Sequence, residues 1–330
     1  MNGVRRMVQS GRGFVRALLF VTCAGLCAAP AVHADSSPAT AVQTTNTSAT
    51  LMAVQFKDAK TGWTVGPGGA IFHTADGGKK WKKQISGTSA LLTNVFFLDR
   101  KIGWVTGASG TLRHTTDGGE HWTGHVLDTQ QPLYSVAFVS PSIGWVVGGG
   151  GTILVTTDGG KHWNEQASGT SAALYAAHFL DDQHGTVVGA LGTVLATQDG
   201  GKTWVPQQTQ GAVTFFDVFF TDPTTGWAVG NAGALFQTTD GGVKWIDRTI
   251  PCGKTCTKVI DLLKVRFTGP QDGWIVGERG MLYRTTDAGF TWSEGKSIAP
   301  VSLFGLSFPD AAHGWASGEN GTMIQLQSGR

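Results

Sequence analysis

A spacing of 41 residues governs this chain. Its clearest copy is Gly144 to Trp163, GWVVGGGGTILVTTDGGKHW. Gly-Trp pairs recur at Gly62-Trp63, Gly103-Trp104, Gly144-Trp145, Gly226-Trp227, Gly273-Trp274 and Gly314-Trp315, with Gly185-Thr186 filling the gap. The successive steps are 41, 41, 41, 41, 47 and 41 residues. Fourteen residues after each of the first six glycines stands an aspartate: Asp76, Asp117, Asp158, Asp199, Asp240 and Asp287. A repeat of this length, built of short apolar runs between Gly-rich turns, predicts four-stranded blades. The fold expected is an all-β, seven-bladed β-propeller.

Each unit reads as four strands. The first is an apolar run such as Leu133 to Val139, the second GWVVG, the third GTILVTT, and the fourth starts at the tryptophan after the aspartate. Apolar residues at successive positions fit blades packed on both faces. In the aspartate phrase, TADGGKKW in the first unit, the carboxylate can accept hydrogen bonds from following backbone N–H groups. The paired glycines permit positive φ, and the tryptophan covers the hairpin. The phrase resembles the Asp-box, S/T-x-D-x-G-x-x-W, of bacterial-sialidase-type repeats, and six units match it. It signals structure rather than catalysis, so these six aspartates are expected to hold turns.

The seventh unit, Leu303 to Arg330, ends after its third strand. A shift of 41 places Gln43-Thr44-Thr45-Asn46-Thr47 on Gln84-Ile85-Ser86-Gly87-Thr88, and Gln166 and Gln207 continue the column. Residues 41–48 are therefore expected to form the outer strand of the last blade and close the ring; the alternative is a linker.

Residues 1–34 read as a signal peptide: Arg5, Arg6, Arg12 and Arg16 precede an apolar run, and Val32-His33-Ala34 suits cleavage after Ala34. An uncleaved anchor is the alternative. The expectation is a periplasmic domain over residues 35–330, with a thylakoid lumen only for a photosynthetic source. Without the leader's four arginines, 21 basic residues face 23 acidic ones, near −2. So weak a field gives no reason to expect nucleic acid or anionic lipid as partners. Cys252 and Cys256 lie in the segment carrying the six extra residues, and after export they are expected to close a small disulfide loop.

A search for chemistry mostly returns architecture. All twelve tryptophans occupy repeat positions. Tyr134 and Tyr175 share a first-strand column with Met52, Thr93, Phe216, Leu263 and Phe304, and core packing is expected for them and for Tyr283. No three of the arginines after the leader share a column, so the arginine cluster of a sialidase-like hydrolase is missing. The histidines make no ligand set with Cys, Asp or another His, so neither metal nor cofactor is expected. One column differs. Ala53, Asn94, Ser135, Ala176, Asp217, Lys264 and Gly305 fall on the first strands, nearest the axis, with His178 and Arg266 as polar residues two positions on. Asp217, Lys264, Arg266 and Asn94 are the candidate binding residues; a solvated pore holding an ion pair is the alternative.

The unit GWVVGGGGTILVTTDGGKHW is similar to the repeat of the photosystem II stability/assembly factor propellers and of their relatives in non-photosynthetic bacteria. The resemblance covers residues 41–330. It implies an exported, non-catalytic seven-bladed propeller acting as an assembly scaffold for a membrane-protein complex; the chain is expected to be monomeric and to bind a protein partner, a membrane complex or exporter. An arginine-rich patch is the functional surface it implies. A carbohydrate-binding or sialidase-like hydrolase is the other reading.

Overall fold

The computed structural model describes residues 39–209, 211–250, 260–295 and 299–327. Strand β1 (Ala39–Thr44) is set apart from the strands that follow it. Blade 1 holds β2 (Ala53–Phe56), β3 (Gly62–Gly66), β4 (Ala70–Thr74) and β5 (Lys82–Ile85). Blade 2 holds β6 (Leu92–Phe97), β7 (Gly103–Gly107), β8 (Leu112–Thr115) and β9 (Thr123–Gly124). Blade 3 holds β10 (Leu133–Phe138), β11 (Gly144–Gly148), β12 (Ile153–Thr156) and β13 (Asn164–Glu165). Blade 4 holds β14 (Leu174–Phe179), β15 (Gly185–Gly189), β16 (Val194–Thr197) and β17 (Val205–Pro206). Blade 5 holds β18 (Phe215–Phe220), β19 (Gly226–Gly230), β20 (Leu235–Thr238) and β21 (Ile246–Asp247). Blade 6 holds β22 (Leu262–Phe267), β23 (Gly273–Gly277), β24 (Leu282–Thr285) and β25 (Ser293–Glu294). Blade 7 holds β26 (Leu303–Ser307), β27 (Gly314–Gly318) and β28 (Thr322–Gln327), and β1 completes it in the order β1-β28-β27-β26. The seven-bladed propeller of four-stranded antiparallel blades is thus the fold, and the fourth strands begin one residue past the tryptophan.

Ring closure follows the expected column, with a shifted boundary. β1 pairs antiparallel with β28 from Ala39 opposite Gln327 to Thr44 opposite Thr322. It ends at Thr44 rather than running to residue 48, because Thr45 donates its hydroxyl to Gly321 O at 2.6 Å and Asn46 turns the chain out at φ 56°. Asn46 stands where blade 1 has Gly87, at φ 69°, and asparagine is among the few residues that tolerate this region. The glutamine column marks the seams. Gln43 Nε2 donates to Gly77 O at 2.8 Å, Gln84 to Gly118 O at 2.9 Å and Gln166 to Gly200 O at 2.9 Å, each reaching the aspartate turn of the next blade. Gln207 breaks the series, donating to Val205 O in its own strand.

The core is a stack of aromatic sandwiches at the seams. A phenylalanine closes or follows each first strand: Phe56, Phe97, Phe138, Phe179, Phe220, Phe267 and Phe308. Its ring lies on the glycine of its own blade's Gly-Trp position, where a Cβ on Gly62 would stand 2.6 Å from the Phe56 ring and one on Gly314 2.2 Å from Phe308. Any larger residue would displace the ring, which is why glycine recurs there. At every seam but that of blades 4 and 5, where Thr186 stands, the other face of the ring receives the tryptophan of the preceding blade. Trp63 stacks on Phe97 at 3.6 Å, Trp104 on Phe138 at 3.7 Å, Trp145 on Phe179 at 3.7 Å and Trp315 on Phe56 at 3.6 Å. The aspartate-turn tryptophan then meets the phenylalanine edge-on, as Trp81 does Phe56 at 5.9 Å. Buried rings of this size each contribute on the order of 3 kcal/mol.

The aspartate turns behave as expected. In blade 1, Asp76 Oδ1 accepts from Lys80 N at 2.9 Å and from the Thr74 hydroxyl, which itself accepts from Gly78 N. The same bonds recur at Asp117, Asp158, Asp199, Asp240 and Asp287. The Thr203 N–H, then its hydroxyl, brings Asp199 down to about 2. A second turn recurs between first and second strands: Asp58, Asp99, Asp181, Asp222 and Asp310, with Ser140 in the same column, accept two N–H bonds each from their own loop. Eleven of the chain's 23 acidic residues are therefore turn supports.

A lined channel and a charged trio at the axis

The first strands surround a channel of about 440 Å³. Ala53, Asn94, Ser135, Asp217, Lys264 and Gly305 of the expected column line it, as do His178 and Arg266. The charges converge at the junction of blades 5 and 6. Asp217, 2 % exposed, accepts from Lys264 Nζ at 3.1 Å, from Val265 N at 3.0 Å and from Arg266 Nη1. Burial alone would push the Asp217 carboxyl up; the Arg266 and Lys264 charges and the Val265 N–H outweigh it and hold the group below the usual carboxylate range. One carboxylate therefore faces two cations. Lys57 lies on the same lining and adds a third, its pKa lowered by burial against the pull of Asp99. The channel wall is thus net positive, although the chain's overall charge is small.

Asn94 lines the channel from blade 2 and makes no hydrogen bond to the trio. The polar column two positions on is fuller than the sequence reading allowed, since Gln55 and Ser307 belong to it. Ser307 Oγ accepts from Phe56 N at 2.9 Å and Gln55 Oε1 from Phe97 N, so both tie adjoining blades together. Phe96 of blade 2 and Phe219 of blade 5 add apolar surface to the wall, and Arg266 lies over the Phe219 ring at 5.7 Å.

His178 sits between this channel and the seam of blades 4 and 5, against Phe219 at 5.1 Å and Phe220 at 5.9 Å. Burial, then the Arg266 charge, drives its pKa down to about 4, so the ring is neutral at pH 7. A folded-state value below the ordinary 6.5 means that the unfolded chain binds this proton first. The associated stability is present above 6.5 and lost as pH falls toward 4, by on the order of 2 kcal/mol. Melting curves between pH 7 and 4 should show that loss together with that of His73, His114 and His125, whose pKa values burial also lowers, and His178→Phe should make it smaller.

One expectation needs revision. Tyr134 and Tyr175, read as core residues, are half-buried, with ring centroids 5.0 Å apart. They occupy β-bulges, since register shifts separate Leu133 from Ser135 and Leu174 from Ala176. The whole column, Met52 to Phe304, is half-buried and, Thr93 apart, forms an apolar collar at the N-terminal ends of the first strands. Histidines pair with aspartates: His121 with Asp117 at 2.7 Å, His162 with Asp158 at 2.6 Å, His184 with Asp181 at 2.9 Å and His313 with Asp310 at 2.9 Å. These are pairs inside single turns, and among the described residues no group of three or more His, Cys, Asp or Glu could hold a metal ion. Cys252 and Cys256 lie outside the described residues. Arginines are dispersed: Arg100, in a blade 2 loop, binds Asp58 of the blade 1 loop at 2.7 Å, and Arg284 lies over Trp274 at 4.9 Å in blade 6.

The sequence matches the family described as "Photosynthesis system II assembly factor YCF48" over residues 32–132, 122–177 and 207–298, well over half of the chain. The chain belongs to this family. Solved structures agree in fold. "YCF48 bound to D1 peptide" superposes with a TM-score of 0.74 at 20 % identity, covering 89 % of this chain and 96 % of that one. YCF48 from Cyanidioschyzon merolae gives 0.73 at 21 %, covering 88 % and 98 %. A GH74 xyloglucanase from Xanthomonas campestris gives 0.71 at 13 %, covering 87 % of this chain and 53 % of that one. Among curated proteins none matches the sequence. At these identities the superpositions show architecture; the family match and the fold together support a protein-binding scaffold of the assembly-factor kind.

Proposed function

We propose that this chain is an exported, non-catalytic propeller that binds a protein partner and serves the assembly or stability of a membrane-protein complex or exporter. Membership of the YCF48 family carries this reading. A relative of the same fold has a D1 peptide bound, which supports a polypeptide as the ligand class. The leader read in residues 1–34 supports export to the periplasm, with cleavage after Ala34. The apolar collar and the cation-rich channel offer two surfaces that differ from the repeated framework, and both suit a peptide with apolar and acidic groups.

Glycoside hydrolysis would use two carboxylates flanking the scissile bond. The channel lining supplies Asp217 alone, and that group is committed to Lys264 and Arg266. The tagged chain, incubated with detergent-solubilised membranes, is expected to retain a membrane protein and to leave a glycan panel intact. Recovery of no protein together with glycan cleavage would overturn the proposal.

A further inference from the structure

Six blades send a tryptophan from their second strand across the seam, and blade 4 does not. Where the others have tryptophan it carries Thr186, half the story of the gap that results. Directly across the ladder, where Trp63, Trp104 and Trp227 face His73, His114 and Gln237, Thr186 faces Ala196. Both positions are thus reduced in the same blade. A cavity of about 360 Å³ opens there, lined by Thr186, Ala196, Phe220, Leu180, Pro223 and Val243. An apolar cavity of about 150 Å³ already holds a benzene ring.

The filled seams show what this one would accept. Four of the tryptophans lie 3.6 to 3.7 Å from the next blade's phenylalanine, near parallel. At the blade 4–5 seam Phe220 keeps its edge contact with Trp245 at 6.0 Å but has no indole on its face. In the blade 5–6 seam a Cβ on Gly289 would stand 2.3 Å from the Trp227 ring, whereas one on the equivalent Gly242 would meet Thr186 Oγ1 only at 3.8 Å. The polar partner is also in place. Trp63 Nε1 donates to Gly118 O at 3.0 Å and Trp315 Nε1 to Gly77 O at 3.3 Å. Gly241 is their counterpart and lines the cavity. Its other customary donor, the seam glutamine, is here Gln207, which turns to Val205 O at 2.8 Å. Among the described residues no N–H or O–H group reaches Gly241 O.

We propose that the blade 4–5 seam is a receptor site for one indole, supplied as a tryptophan side chain of the partner protein, which stacks on Phe220 and donates its N–H to Gly241 O. The tryptophans of the same molecule are the argument for this occupant: Trp63 and Trp315 show both the stacking and the N–H bond, and Trp104 and Trp145 the stacking. Neutral His178 forms the inner wall, and the rim, with Asp181, His184 and Gln198, is polar enough for a peptide backbone. The inference rests on the protein-binding reading only for the source of the indole.

The site itself is tested with 5-fluoroindole as the probe, titrated into the full chain and followed by fluorine NMR. The wild type is expected to show one saturable site. Thr186→Trp fills the seat from within and should abolish binding while raising the melting temperature; Ala196→Gln, bringing in the residue of the next blade, should weaken binding at least about tenfold. Should either variant fold poorly, as judged by circular dichroism, the other decides. No saturable binding to the wild type, or unchanged binding in a folded variant, would overturn the site. Either result leaves the scaffold reading standing, because membrane pull-down tests that separately.

Discussion

Removing residues 35–48 is expected to lower the melting temperature by about 10 °C or more and to broaden the transition. The segment contributes β1, whose six residues pair with β28 and leave Ile324 and Leu326 fully buried behind them. It also carries the Gln43 bond to Gly77 and the Thr45 bond to Gly321, which join blade 7 to blade 1 and tie down the chain end. Backbone and side-chain bonds of this kind are worth about 1 kcal/mol each. The loss of several, with a newly exposed β28 edge, amounts to roughly 5 kcal/mol. A melting temperature unchanged from the intact chain would show that the ring does not depend on this strand.

The second large effect is at Asp217. Replacing it by alanine should cost about 3–5 kcal/mol, because Lys264 and Arg266 lose a buried counter-charge that nothing else on the lining supplies. Their side chains are 17 % and 29 % exposed, so water can relieve part of the penalty. Asp217→Asn keeps the shape and an acceptor for Val265 N, and should cost less. The triple change that also makes Lys264→Met and Arg266→Met should recover much of the loss, which denaturant midpoints in a mutant cycle would measure. Additive losses across the cycle would contradict the coupling. Lys264→Ala also bears on binding: if it and Asp217→Ala, both checked for folding, leave partner capture intact, the channel is not the docking surface.

Much of the fold was legible because its demands repeat. Glycine, aspartate and tryptophan return every 41 residues since each blade must turn at one place and fill one seam. The closing strand could be placed from one glutamine column, although its end could not, as that depends on Thr45 reaching Gly321 across the sheet. The phenylalanine column was in view as apolar strand, but its role is fixed by ring-on-glycine contact, which spacing alone does not reveal. The candidate trio was readable as opposite charges on adjoining blades. Gln55 and Ser307 escaped notice because their bonds run between blades. The half-buried collar escaped because a β-bulge moves its side chains away from the core that alternation would assign. Thr186 stood out as a departure from the repeat, whereas the consequence needed Ala196 beside it.

The repeated residues build the ring, and under the proposed function partner recognition belongs to the places where blades differ. The direct measurement is capture of a protein from detergent-solubilised membranes by the intact chain, by Lys264→Ala/Arg266→Ala and by Thr186→Trp, all confirmed as folded. The account predicts a membrane protein retained by the first and reduced at least about tenfold with each of the other two. Equal capture by all three, or a folded chain that retains no protein, would contradict it.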